Sequence, residues 1–149
     1  KAILDIPKTL EYLETEGVTV LSNRAKTFAN FYSVSSSDPV DAVFDTPEEA
    51  ASIIKAKMDL GLSGGILISN PVPEEFALPH AYIDSIVEQA VREAEEQGIR
   101  GKDSTPFLLK RIVELTGGKS LEANIHLVVN NAKIGAQIAV ELVKMRRAS

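Results

Sequence analysis

Apolar positions recur along this chain at two spacings, and the switches between them outline a fold. In "DIPKTLEYLETEG", Ile6, Leu10 and Leu13 fall on one side of a helix. Asp5 stands where it can cap that helix, Pro7 lies in its first turn, and Gly17 is a natural stop. The short apolar run 18–22 then reads as a strand. The stretch "NRAKTFANFYSVSSSDP" carries aromatics and serines without a period, and reads as an irregular loop. "DAVFD" is the second strand. "TPEEAASIIKAKMDLG" predicts a helix with Thr46 as N-cap, Pro47 at the first helical position and Glu49 completing a capping box, ended by Gly61. "GGILISN" predicts a buried third strand. The segment "NPVPEE" turns the chain after it: turn chemistry accounts for Asn70, Pro71 and Pro73, and Glu74 and Glu75 suit a helix start.

The second half is mostly helical. Over 79–97, Ile83, Ile86, Val87, Ala90 and Ala94 recur at helical spacing, opposite an acidic face, up to Gly98. "STPFLLKRIVELTGG" predicts a helix with Thr105 as N-cap and Pro106 first inside it. The last helix is expected from about Ser120 to about Met145. Its predicted buried stripe is Leu121, Ile125, Val128, Ala132, Gly135 and Ile138, which places Asn124 and Asn131 on that stripe or beside it. A buried amide is costly unless its donors and acceptors are matched, so each needs a partner: backbone, a neighbouring helix or a ligand. Strands alternating with helices predict an α/β layered structure, a mostly parallel sheet flanked by helices with a helix-rich C-terminal part. About three short strands are few for so many helices. Lys1 also stands directly ahead of a helix, with no strand before it. The expectation is a sheet completed by a segment outside this chain.

Composition narrows the function classes. A length of 149 residues suits one domain, with 44% hydrophobic and 25% charged residues. A net charge of −5 with scattered Lys and Arg argues against a nucleic-acid partner bound through phosphate neutralisation. The absence of cysteine excludes disulfides, thiolate chemistry and zinc ribbons. Two histidines, His80 and His126, lack spaced partner ligands and read as ordinary helix residues; a carboxylate-bound hard cation stays open. No apolar run reaches the length of a membrane span, so a membrane partner is not expected and a cytoplasmic protein is, or an organellar one in a eukaryote.

Four ordered stretches carry a resemblance. They are "KAILDIPKTLEYLETEGV", "LGLSGGILISNPVPEEFALP", "GIRGKDSTPFLLKRIVELTGGKSLEANI" and "LVVNNAKIGAQIA". Together they resemble the pseudouridine-5′-phosphate glycosidase family, which includes the indigoidine-synthase-A-like proteins. The resemblance implies that residues 1–149 are the C-terminal half of one glycosidase domain. It implies reversible cleavage of pseudouridine 5′-phosphate to uracil and ribose 5-phosphate. In the family, the lysine of a "K-S-I-L-D" stretch forms a Schiff base with the opened sugar. Here the match is "K-A-I-L-D", so the role falls on Lys1, with Ala2 in place of the usual serine. Asn124, in "S-L-x-x-N-I", matches a substrate-contacting position; for Asn131 the structural reading is kept. A Mn²⁺ requirement and a homotrimer are also implied. The metal ligand, the general acid and most phosphate contacts are expected in the N-terminal half, which would be this chain's partner.

The chemistry suits a lysine. A carbon–carbon glycosidic bond gains nothing from protonating a leaving nitrogen; it needs an electron sink beside it. The open sugar presents an aldehyde at C1′, and a neutral amine condenses with it. An ordinary lysine, with a pKa of about 10.4, is almost wholly protonated at pH 7, so the site must lower that value by desolvation or a neighbouring positive charge. Two other readings compete: a non-catalytic α/β scaffold or assembly module, and a related glycosidase acting on another sugar phosphate.

Overall fold

The computed structural model describes residues 5–34 and 36–148. The first helix, α1, spans Ile6–Thr15; Asp5 caps it by accepting from Lys8 N at 3.0 Å, which holds its carboxyl below the ordinary range. Three strands follow: β1 (Thr19–Asn23), β2 (Ala42–Phe44) and β3 (Ile66–Ser69). They form one parallel sheet in the order β2-β1-β3. Leu21 pairs with Ala42 on one side and Ile68 on the other. The sheet is thus parallel and short, as the sequence predicts. The aperiodic stretch between β1 and β2 is irregular, with single bridges at Thr27–Pro39 and Asn30–Ser33.

Helix α2 (Pro47–Asp59) carries β2 back to β3. Its capping box is complete: Glu49 N donates to Thr46 Oγ1 at 3.2 Å, and Glu49 Oε2 accepts from Thr46 N at 3.2 Å. After β3 come a 3₁₀ turn (Glu74–Phe76) and then α3 (His80–Glu96). A second 3₁₀ turn, Gly101–Asp103, leads directly into α4 (Ser104–Leu115). The expected N-cap at Thr105 is therefore two residues late, because Asp103 is the residue before the helix and Thr105 lies inside it. Helix α5 (Lys119–Ala148) has 30 residues, about 45 Å of continuous helix.

Two apolar clusters make the core, and α5 joins both. Ile83, Ala90, Leu108, Ile112, Ala123 and Leu127 fill the first, together with Tyr32. Burial pushes the Tyr32 phenol up to about 12, so it stays neutral. Leu21, Phe44, Ala50, Ala51 and Ile138 fill the second, between sheet, α2 and α5. The expected stripe on α5 is wrong for all but Ile138. Leu121, Ile125 and Val128 are 48%, 54% and 58% exposed, while Ala123, Leu127 and Ile138 are 5% or less. The helix is apolar on two sides, and the described residues cover only one.

Helices α3 and α4 are joined at their rim by Arg111. Its guanidinium donates to both Glu93 oxygens and, at 3.0 Å, to Glu114. These bonds hold the Glu93 carboxyl below its ordinary value of 4.5, the hydrogen bond from Arg111 contributing most. A lowered folded pKa means stability that is present above the unfolded value and lost as pH falls through the folded one. Chemical denaturation midpoints should therefore fall more steeply below pH 4.5 in the wild type than in Arg111→Met. Parallel profiles would contradict this role.

Candidate functional site

The carboxyl ends of parallel strands are where α/β folds bind ligands. Here those ends are Asn23, Phe44 and Ser69, and polar side chains gather beyond them. Ser69 Oγ accepts from Ala29 N at 2.8 Å, which pins the loop after β1 over the end of β3. Arg24 follows β1 at φ 59°, a left-handed conformation that costs a non-glycine residue about 1–2 kcal/mol. Its N–H donates to Phe44 O at 2.9 Å and its Nε to Asp45 O at 3.0 Å, so β2 holds it there.

Three asparagine amides join the sheet edge to α5. Asn23 Nδ2 donates to Asn70 Oδ1 at 2.8 Å, and Asn70 Nδ2 donates to Asn131 Oδ1 at 2.9 Å. Asn70 is 8% exposed, whereas Asn131 lies on an exposed stretch of α5, so both bonds are part-buried. Helix α5 grips the following turn at two more points. Asn130 Nδ2 donates to Pro71 O at 3.3 Å, and the His126 ring stacks on Phe76 with centroids 3.3 Å apart. Beside this network lies a cavity of about 410 Å³ lined by Asn23, Arg24, Asp45, Asn130, Lys133 and Gln137. The loop 24–41 is tied in through Asn30, whose Nδ2 lies 3.4 Å from His80 Nδ1, and through Leu78 N, which donates to Tyr32 O.

Lys1 lies outside the described residues; α1 starts five positions after it. Asn124 sits on α5, half-buried, its side chain without a hydrogen bond to another described residue. Asn131 is a partner of Asn70, in line with its structural reading. Asn70 is more than a turn residue: its amide is the middle link between strand and helix, which turn chemistry could not reveal. Asn23 was not singled out by its sequence context, and no local signal marks it. His80 is paired with Asp84 at 3.1 Å within α3, and His126 stacks on Phe76 between α5 and the 3₁₀ turn. Among the described residues no group of three or more His, Asp or Glu could hold a metal ion. These residues do not make a manganese site by themselves, and no chemical step here runs through one. Among them, too, no helix is long and apolar enough to cross a membrane.

The family described as indigoidine synthase A-like protein matches residues 1–141. The chain belongs to that family. Two solved structures superpose closely. A prealnumycin C-glycosynthase, solved in complex with ribulose 5-phosphate, matches with a TM-score of 0.90 and 28% identity, over 100% of this chain and 49% of that one. An indigoidine synthase A-like protein from Thermotoga maritima matches with a TM-score of 0.82 and 36% identity, over 95% of this chain and 46% of that one. Two curated relatives named pseudouridine-5′-phosphate glycosidase are closer in sequence. That of Caldanaerobacter subterraneus subsp. tengcongensis is 58% identical over 97% of this chain and 47% of its own length. That of Staphylococcus aureus is 52% identical over 97% of this chain and 47% of its own length. The chain thus spans about half the length of the curated relatives it matches.

Proposed function

We propose that this chain is part of a pseudouridine-5′-phosphate glycosidase. The observation that carries the reading is 58% identity across 97% of the chain to a relative of that name. In this reading Lys1 Nζ adds to the C1′ aldehyde of open-chain ribose 5-phosphate, water leaves, and a protonated imine forms. The imine accepts the electron pair of uracil C5, which then loses its proton; O4′ then bonds to C1′ and gives up its proton as Lys1 Nζ leaves with one, which closes the ring. Cleavage is the reverse: the C1′–O4′ bond breaks, its electron pair taking a proton to become the O4′ hydroxyl, while Lys1 Nζ gives up a proton and bonds to C1′; the C1′–C5 bond then breaks, its electrons stay with uracil C5 as that carbon is protonated, and the nitrogen lone pair regenerates the imine for hydrolysis. Asn124, with its free half-buried amide, contacts the substrate.

The reading extends to the whole protein. The remaining half of the polypeptide completes the sheet and supplies the general acid, the phosphate contacts and the manganese ligand. It also covers the outer apolar side of α5, where Val128 and Val129 are 58% and 61% exposed. Such a protein would work as a cytoplasmic homotrimer. One alternative on the same site is a different sugar phosphate, favoured by the ribulose 5-phosphate in the structural neighbour.

The test is direct. The whole protein is incubated with pseudouridine 5′-phosphate and Mn²⁺, and uracil release is followed. Uracil and ribose 5-phosphate in equal amounts are expected. No cleavage by a folded, metal-loaded protein would sink the reading, and borohydride trapping with ribulose 5-phosphate but not ribose 5-phosphate would move it to the alternative.

A further inference from the structure

The seat of α5 is apolar along much of its length. Ile134, Ile138, Leu142 and Met145 belong with the cluster of Leu21 and Phe44, and Ala123 and Leu127 with the other. Apolar contact is non-directional. It limits the rotation of the helix through the fit of its buried side chains, and hydrogen bonds sharpen that limit. Hydrogen bonds add directional restraint: Asn131 accepts from Asn70, the buried middle member of the Asn23–Asn70–Asn131 chain, and Asn130 donates to Pro71 O at 3.3 Å. Its far end is anchored in β1, the central strand.

Asn124 stands seven residues before Asn131 on the same helix. Seven residues are just under two turns, so the two side chains leave α5 within about 20° of each other and about 10 Å apart along its axis. A rotation that moves Asn131 therefore moves Asn124 in the same sense. Asn124 has no hydrogen bond to another described residue that would correct its direction.

We propose that the Asn23–Asn70–Asn131 chain sets the rotation of α5 and thereby aims Asn124 at the substrate. The proposal rests on the reading of Asn124 as a substrate contact. Asn70 is then a positioning residue. It has both a donor and an acceptor, and the link from strand to helix needs both.

The test uses the whole protein. Asn70→Asp keeps an oxygen for Asn23 but turns a second oxygen towards Asn131 Oδ1, so two acceptors face each other. Asn131→Leu removes the end of the chain, and Asn131→Asp restores an acceptor there. Asn70→Asp and Asn131→Leu should each lower kcat/KM for pseudouridine 5′-phosphate about tenfold or more, as misaimed groups do. Asn131→Asp should recover most of the loss in Asn131→Leu. In an Asn124→Ala background, Asn70→Asp should cost nothing further. If its full cost persists there, Asn70 acts elsewhere and the proposal falls. A second readout does not need activity: the ¹⁵N-labelled side-chain amide of Asn124 should shift in Asn70→Asp and return towards its wild-type position in Asn131→Asp relative to Asn131→Leu. An unmoved Asn124 resonance overturns the coupling. A wild type that does not cleave pseudouridine 5′-phosphate removes the glycosidase reading, and the resonance still decides the link through α5.

Discussion

Lys1→Ala in the whole protein is expected to lower kcat for pseudouridine 5′-phosphate cleavage by about a thousandfold or more, the scale of losing a covalent nucleophile. Lys1→Arg should lose as much. Arginine keeps a positive charge but stays protonated in proteins, so it cannot attack a carbonyl. The pair of variants therefore separates covalent chemistry from a purely electrostatic role such as holding a phosphate. Borohydride reduction with ribose 5-phosphate, then peptide mapping, should place one adduct on the side chain of Lys1 in the wild type and none in either variant. Arginine activity within about tenfold of wild type would sink the imine, because a phosphate-binding cation is the role that substitution largely preserves. The pH profile adds a check. The amine must be partly neutral to react, so activity should rise with pH through a lysine pKa set below about 10.4.

The ends of most elements, though not the start of α4, were legible in the sequence because they depend on neighbours a few residues away. Asp5 and Lys8, or Thr46 and Glu49, meet within one helical turn. The parallel strands were legible from their apolar runs. Two things were not. The side of α5 that this chain buries could not be read from periodicity, since apolar residues occupy most of its circumference and both Ile125 and Leu127 fit a helical repeat. What decides between them is the placement of α3 and α4, whose cluster takes in Leu127, and that is tertiary information. The asparagine chain was hidden for a similar reason: its links span 47 and 61 residues, and each amide alone looks like turn or surface chemistry. The site was legible unevenly. Lys1 and Asn124 came from resemblance, and spacing alone would have left Lys1 a solvated charge.

The two sides of α5 should respond to substitution according to what covers them. Ile138 is 4% exposed and belongs to the cluster with Leu21, Phe44, Ala50 and Ala51. Ile138→Ala removes methylene groups from a close-packed site and should cost about 2–5 kcal/mol, depending on how far α2 can relax into the gap. That cost does not depend on any other part of the polypeptide. Val128 is 58% exposed among the described residues. On a free surface, Val128→Asp would change stability by about 0.5 kcal/mol or less. If the remaining half of the polypeptide lies over this side, the same substitution buries a carboxylate without a partner. The expected loss is then about 3 kcal/mol or more, since an unpaired buried charge keeps its desolvation cost. Urea denaturation of the whole protein, wild type beside the two variants, measures both. A large loss in each supports a helix covered on two sides. An unchanged midpoint for Val128→Asp would leave the outer side of α5 facing water and remove the docking surface from the proposed function, while the loss in Ile138→Ala would stand.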